Sequence, residues 1–80
     1  MVKVKLKIPV LRRMLAERNI SQNRFAQLAG LTSGFMSQLL AGIRNPSPAV
    51  RKQLWNALNK SRKAQGLKEY TFDDIFRIQE

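Results

Sequence analysis

Two short helical segments joined by almost no chain set the strongest limit on how this sequence can fold. Ser21 is a good helix cap, and Phe25, Ala26 and Ala29 follow it at spacings that share one helical face. Gly30 stops that segment. Thr32, two residues on, caps the next, which turns Met36 and Leu39 inward until Gly42 ends it. The segments therefore meet at a tight turn, where Ala26 is small enough to let them approach and Gly30 supplies the bend. Leu31, Met36 and Leu39 anchor the second segment against the rest of the chain, which leaves its outer face free.

The flanks supply that body. After Pro9, suited to a first helical turn, Leu11, Met14 and Leu15 recur three and four apart, giving a helix over residues 9–18. Arg12, Arg13 and Arg18 fall on its solvated face, and Asn19-Ile20 breaks it. Residues 43–48 hold Asn-Pro and Ser-Pro turns; Val50, Leu54, Ala57 and Leu58 then give a fourth amphipathic helix with Trp55 at its edge. Residues 60–68 read as a basic helix end followed by a loop, and Thr71 caps a short turn beginning at Phe72. At the start, Val2, Val4, Leu6 and Ile8 alternate with Lys3, Lys5 and Lys7, the period of a strand with one dry and one wet face. A lone strand leaves its backbone unsatisfied, and the candidate partner is the other terminus around Phe76-Arg77-Ile78.

The fold expected is mainly α: a four- to five-helix bundle with a small two-stranded β-sheet joining the N- and C-terminal segments, about 2–8 and 75–79. The 80 residues allow one core, so the chain reads as a single domain, 1–80, with its helical core at 9–59. With 44% hydrophobic residues that core can form, and the charge belongs to a folded unit.

The charge points to a polyanion. Fifteen Lys and Arg against five Asp and Glu give a formal +10, more than solubility requires. Through Lys68 the only acid is Glu17; Glu69, Asp73, Asp74 and Glu80 crowd the end, so the positive field lies over the first two thirds. The absence of Cys and His excludes disulfides and ordinary zinc sites, and no cofactor is implied. The start lacks the apolar core of a secretory signal, and no run approaches the roughly 18 apolar residues of a membrane span. A cytoplasmic location and no membrane partner are expected. Asp73-Asp74 resembles a catalytic carboxylate pair only superficially: adjacent acids at a helix start meet free amides, and no His or Cys stands by. The chain does not read as an enzyme.

The stretch from Ser21 to Gly42 resembles the helix-turn-helix of phage Cro and lambda-repressor-like (XRE-type) regulators. Phe25-Ala26, Gly30-Leu31, Met36-Ser37, Leu39, Gly42 and Asn45-Pro46 carry the resemblance, which covers roughly residues 10 to 59. It implies that the helix at about 32–41 enters the major groove of double-stranded DNA while the preceding helix crosses the backbone. Carried over by position, Thr32, Ser33, Gly34, Ser37 and Gln38 are the base-contacting candidates. Gln38 stands out because an amide can pair in bidentate fashion with adenine. Phe35 either touches a thymine methyl or packs inward. Gln22 and Asn23, at a helix N-terminus, and Arg44 and Asn45, in the loop after the recognition helix, are the phosphate-contacting candidates. Arg24, Lys52 and the Lys60-Arg62-Lys63 group are further ones. Lys3, Lys5 and Lys7 are either the wet face of a protective edge strand or DNA contacts.

Two departures stand out. Leu15 and Leu40 occupy positions where the family often pairs an Arg with a Glu, a tolerable exchange because packed apolar pairs are often as stable as buried ion pairs. The terminal segments resemble a subgroup of small regulators with a β-pair, with a longer link at residues 60–70. The resemblance implies a sequence-specific transcriptional regulator, usually a homodimer on a two-fold site. Alternatives in which the same domain serves an antitoxin with a cognate protein partner, or binds RNA, stay open. Leu28, Trp55 and Tyr70 are the exposed apolar candidates for a dimer surface.

Overall fold

The computed structural model describes residues 2–80. Along the chain run β1 (Lys3–Leu6), α1 (Ile8–Glu17), α2 (Gln22–Ala29), α3 (Ser33–Leu40), α4 (Pro48–Ala64), α5 (Phe72–Ile75) and β2 (Phe76–Gln79). The termini do pair: β1 and β2 are antiparallel, with Val4 opposite Ile78, Lys5 opposite Arg77 and Leu6 opposite Phe76. The Lys7 amide extends this ladder by donating to the Ile75 carbonyl at 2.8 Å. Alternation decides which face is dry. Leu6 and Phe76 are buried, whereas Lys3, Arg77 and Gln79 face water.

One core collects a stripe from each helix: Leu11, Met14 and Leu15 from α1, Phe25, Ala26 and Ala29 from α2, Met36, Leu39 and Leu40 from α3, Leu54 and Leu58 from α4. Helices shorter than about 12–15 residues are marginal alone. The eight-residue α2 and α3 persist because each buried Leu, Met or Phe contributes on the order of 1.5–3 kcal/mol.

The helix ends follow their sequence signals. Ser21 Oγ accepts from the Arg24 amide at 3.0 Å, and Thr32 Oγ1 from the Phe35 amide at 3.1 Å. After α2, Gly30 takes φ +74°, and the Leu31 amide reaches back to the Ala26 carbonyl at 2.8 Å. After α1 the same closure falls on Asn19, at φ 55°, with the Ile20 amide bound to the Leu15 carbonyl at 3.0 Å.

α4 begins at Pro48 and continues to Ala64, so the basic stretch from Lys60 is the expected helix end followed by a loop. Other expectations are corrected. Arg18 does not lie on a solvated face: its guanidinium donates to the Leu58 carbonyl and the Tyr70 hydroxyl, both at 3.2 Å. Arg12 likewise donates to the Leu40 carbonyl at 3.1 Å. Arg12 nonetheless stays exposed, as does Arg13, which pairs with Glu17. Trp55 and Tyr70 are half-buried against the core, and of the apolar candidates only Leu28 is exposed. Among the described residues no helix is long and apolar enough to cross a membrane.

Candidate nucleic-acid interface

α3 has one face in the core and one open to solvent. Met36 is 0% exposed and Leu39 1%, while Ser33, Gly34 and Ser37 on the opposite side lie open to solvent. Its tilt is set from behind. α2 packs on α3, and the Arg12 guanidinium binds the Leu40 carbonyl, a favourable place for a cation because the last carbonyls of a helix carry partial negative charge. Leu15 and Leu40 are both buried, so an apolar contact and an arginine reaching a backbone carbonyl hold this end without a glutamate.

The base-contacting candidates all lie on or at the start of α3. Thr32 is the cap, its hydroxyl already accepting from the Phe35 amide; Ser33, Gly34 and Ser37 are exposed and Gln38 is half-buried. Nothing lies within 4 Å of where a Cβ on Gly34 would stand, so the backbone there is open to close approach. Phe35 packs against the core, and the Arg44 guanidinium lies 5.9 Å from its ring centroid. Packing inward is the alternative that holds for Phe35. The contact also brings Arg44 back alongside the first turn of α3.

Of the phosphate-contacting candidates, Gln22 and Asn23 open α2, half-buried and exposed respectively. Arg44 and Asn45 are exposed in the loop between α3 and α4, a loop pinned where the Arg51 guanidinium donates to the Pro46 carbonyl at 3.2 Å. Arg24 is hydrogen-bonded to Gln27 and Lys52 is exposed. The Lys60-Arg62-Lys63 group does not present three free cations: Arg62 binds the Lys68 carbonyl and the Tyr70 hydroxyl, and Lys63 pairs with Glu69 at 3.4 Å.

The positions that sequence reasoning passed over are those that set α3 in place. Arg12 gave no signal, because only the folded chain reveals that an arginine on the first helix reaches the end of the third. Asp74 has a pKa below its ordinary value. It is held below that value by the Thr71 backbone amide, which donates to its carboxylate at 2.8 Å, then by the Thr71 hydroxyl, with Lys68 and Lys7 adding to the effect against a small opposing cost of burial. That interaction caps α5.

The family model of the Cro/C1-type HTH DNA-binding domain matches residues 10–59, which contain α2, α3 and the loop carrying Arg44 and Asn45. No curated protein and no solved structure matches the chain.

Proposed function

Because the chain belongs to the Cro/C1-type helix-turn-helix DNA-binding family, we propose that it is a sequence-specific regulator of transcription that reads duplex DNA with α3 in the major groove. The observation that carries this reading is the two-faced character of α3: an apolar back held in the core and an uncovered front of Ser33, Gly34 and Ser37, with Gln38 beside them. A rigid rod with a small polar front is what a groove about 12 Å wide admits.

Within this reading Gln38 discriminates among bases, Ser33 and Ser37 tolerate several, and Gly34 lets the backbone close on the sugar-phosphate. Thr32 contributes at the helix start. Gln22 and Asn23, beside the free amides of α2, and Arg44 and Asn45 hold phosphates and set the register. The protein binds as a homodimer with half-sites about one helical turn apart, and it acts in the cytoplasm. No observation favours the antitoxin or RNA-binding alternatives.

Titration against a panel of duplexes tests the assignment. Gln38→Ala should flatten the preference among sequences, removing about 1–3 kcal/mol of discrimination. Arg44→Ala should weaken all duplexes alike and make the salt dependence shallower by about one unit of log–log slope. Equal losses on every sequence for Gln38→Ala would remove it from the base-reading set.

A further inference from the structure

A groove of about 560 Å³ separates the wet face of the terminal sheet from the loop that follows α3. Lys5, Lys7 and Arg77 from the terminal segments line it together with Arg44 and Asn45 from the loop, and no acidic side chain is among its lining. The Lys7 ammonium is occupied by the Asp73 carbonyl, whereas the side chains of Lys5 and Arg77 make no hydrogen bond or ion pair among the described residues.

The strand register makes these two residues unusual. Lys5 and Arg77 are direct cross-strand partners, and like charges in that position destabilise a sheet. Among the described residues no acidic side chain lines this groove to offset them. A pair of cations that works against its own sheet, facing a third cation across an acid-free groove, is suited to a polyanion. We propose that Lys5 and Arg77 form a second phosphate-contacting surface, continuous across the groove with Arg44 and Asn45, so that the footprint on duplex DNA extends beyond the helix-turn-helix onto the terminal sheet. This rests on the DNA-binding function proposed above and adds the strands to the machinery.

The experiment measures duplex affinity as a function of salt for the full chain, with thermal stability followed in parallel. The Lys5→Gln/Arg77→Gln variant should bind every duplex more weakly, and its log–log salt slope should be shallower by about two, because each neutralised phosphate contributes about 0.9. Its order of preference among sequences should not change. Lys5→Glu gives the sharper result: it creates an opposite-charge cross-strand pair with Arg77, so its melting temperature should rise while its affinity for DNA falls. Arg13→Gln/Lys68→Gln removes the same two charges outside the groove and should leave the slope unchanged.

The proposal is overturned if Lys5→Gln/Arg77→Gln keeps the parent slope, if the control loses as much slope as the groove variant, or if Lys5→Glu binds as tightly as the parent. The parent reading has its own test. Should the unmodified chain bind no duplex in a salt-dependent way, the DNA-binding reading fails; should Arg44→Ala lower the slope while the strand variants do not, only the strand surface fails.

Discussion

Tyr70 shows how a single residue can close a fold. Its backbone amide donates to Asn59 Oδ1 at 2.6 Å, and its carbonyl accepts from Asn59 Nδ2 at 3.2 Å and from the Trp55 indole at 2.8 Å. On the ring side the Arg62 guanidinium stacks 4.3 Å from the centroid while Arg18 and Arg62 both donate to the hydroxyl. Asn59 is 6% exposed, the one buried polar residue among those described, and it is buried because both ends of its amide are satisfied. Asn59→Ala removes two of these bonds and strands polar groups of Tyr70. We expect a loss of about 2–3 kcal/mol in urea unfolding, with Trp55→Phe losing about 1 kcal/mol. None of this clasp was legible in sequence. Tyr70 stands in a polar stretch with no periodicity, and its partners lie 8 to 52 residues away. Local signals were readable, as at the turn between α2 and α3. Gly30→Ala should cost about 1–2 kcal/mol, since its φ is left-handed and a new Cβ would also stand 3.3 Å from Gln53 Nε2. Asn19→Gly, at the corresponding point after α1, should change stability by under about 1 kcal/mol, because relief of the left-handed strain is set against the entropy of a freer chain. A destabilisation there as large as that of Gly30→Ala would contradict this account.

At the level of elements, what the sequence announced is what short-range chemistry controls. Caps and stripes located α1, α2 and α3, and the Lys alternation located β1, because each signal spans only a turn or a few residues. The end of α4 was legible as a basic helix end running into a loop, although its apolar stripe stops at Leu58; the stacking of Arg62 on Tyr70 in its last turns was not. The base-facing side of α3 was legible as the residues left over once Met36 and Leu39 were assigned inward; Arg12 beneath its end was not. The α5–β2 segment depends on Asp74, and this gives it a pH response. The folded state lowers the Asp74 pKa, chiefly through the Thr71 amide, so the stabilisation is present above the ordinary aspartate value and is lost as pH falls through the lower, folded one. Amide exchange in residues 71–79 should therefore accelerate as pH drops below about 4, beyond its intrinsic dependence. Asp74→Asn should exchange faster at neutral pH and lack that additional acid step. An identical acid response in the variant would place the pH dependence elsewhere.

For the whole molecule the dominant fact is a charge of +10 distributed over a body 38 × 26 × 21 Å, with two surface ion pairs among the described residues to offset it. At about 0.01 M salt the screening length is roughly 30 Å, comparable with the molecule itself, so each cation is repelled by nearly all the others; at about 0.15 M it falls to roughly 8 Å and only near neighbours count. The unfolded chain spreads the same charges further apart. Sodium chloride should therefore raise the melting temperature over this range, with most of the gain at the dilute end. Chloride is the appropriate salt, since sulfate strengthens burial by exclusion and would confuse the two effects. Binding should respond with the opposite sign, because every phosphate contact releases counterions and salt opposes that release. A chain selected only to be stable has no use for such repulsion; a chain that meets a polyanion relieves it at the moment of binding. The decisive comparison is calorimetric, melting the free protein and its duplex complex across the same salt series. The gap between their melting temperatures should be widest in dilute salt and shrink as chloride is added. A free protein whose melting temperature is flat or falls with chloride would show that its cations are not in conflict, and would remove the electrostatic reason for reading this surface as one built for DNA.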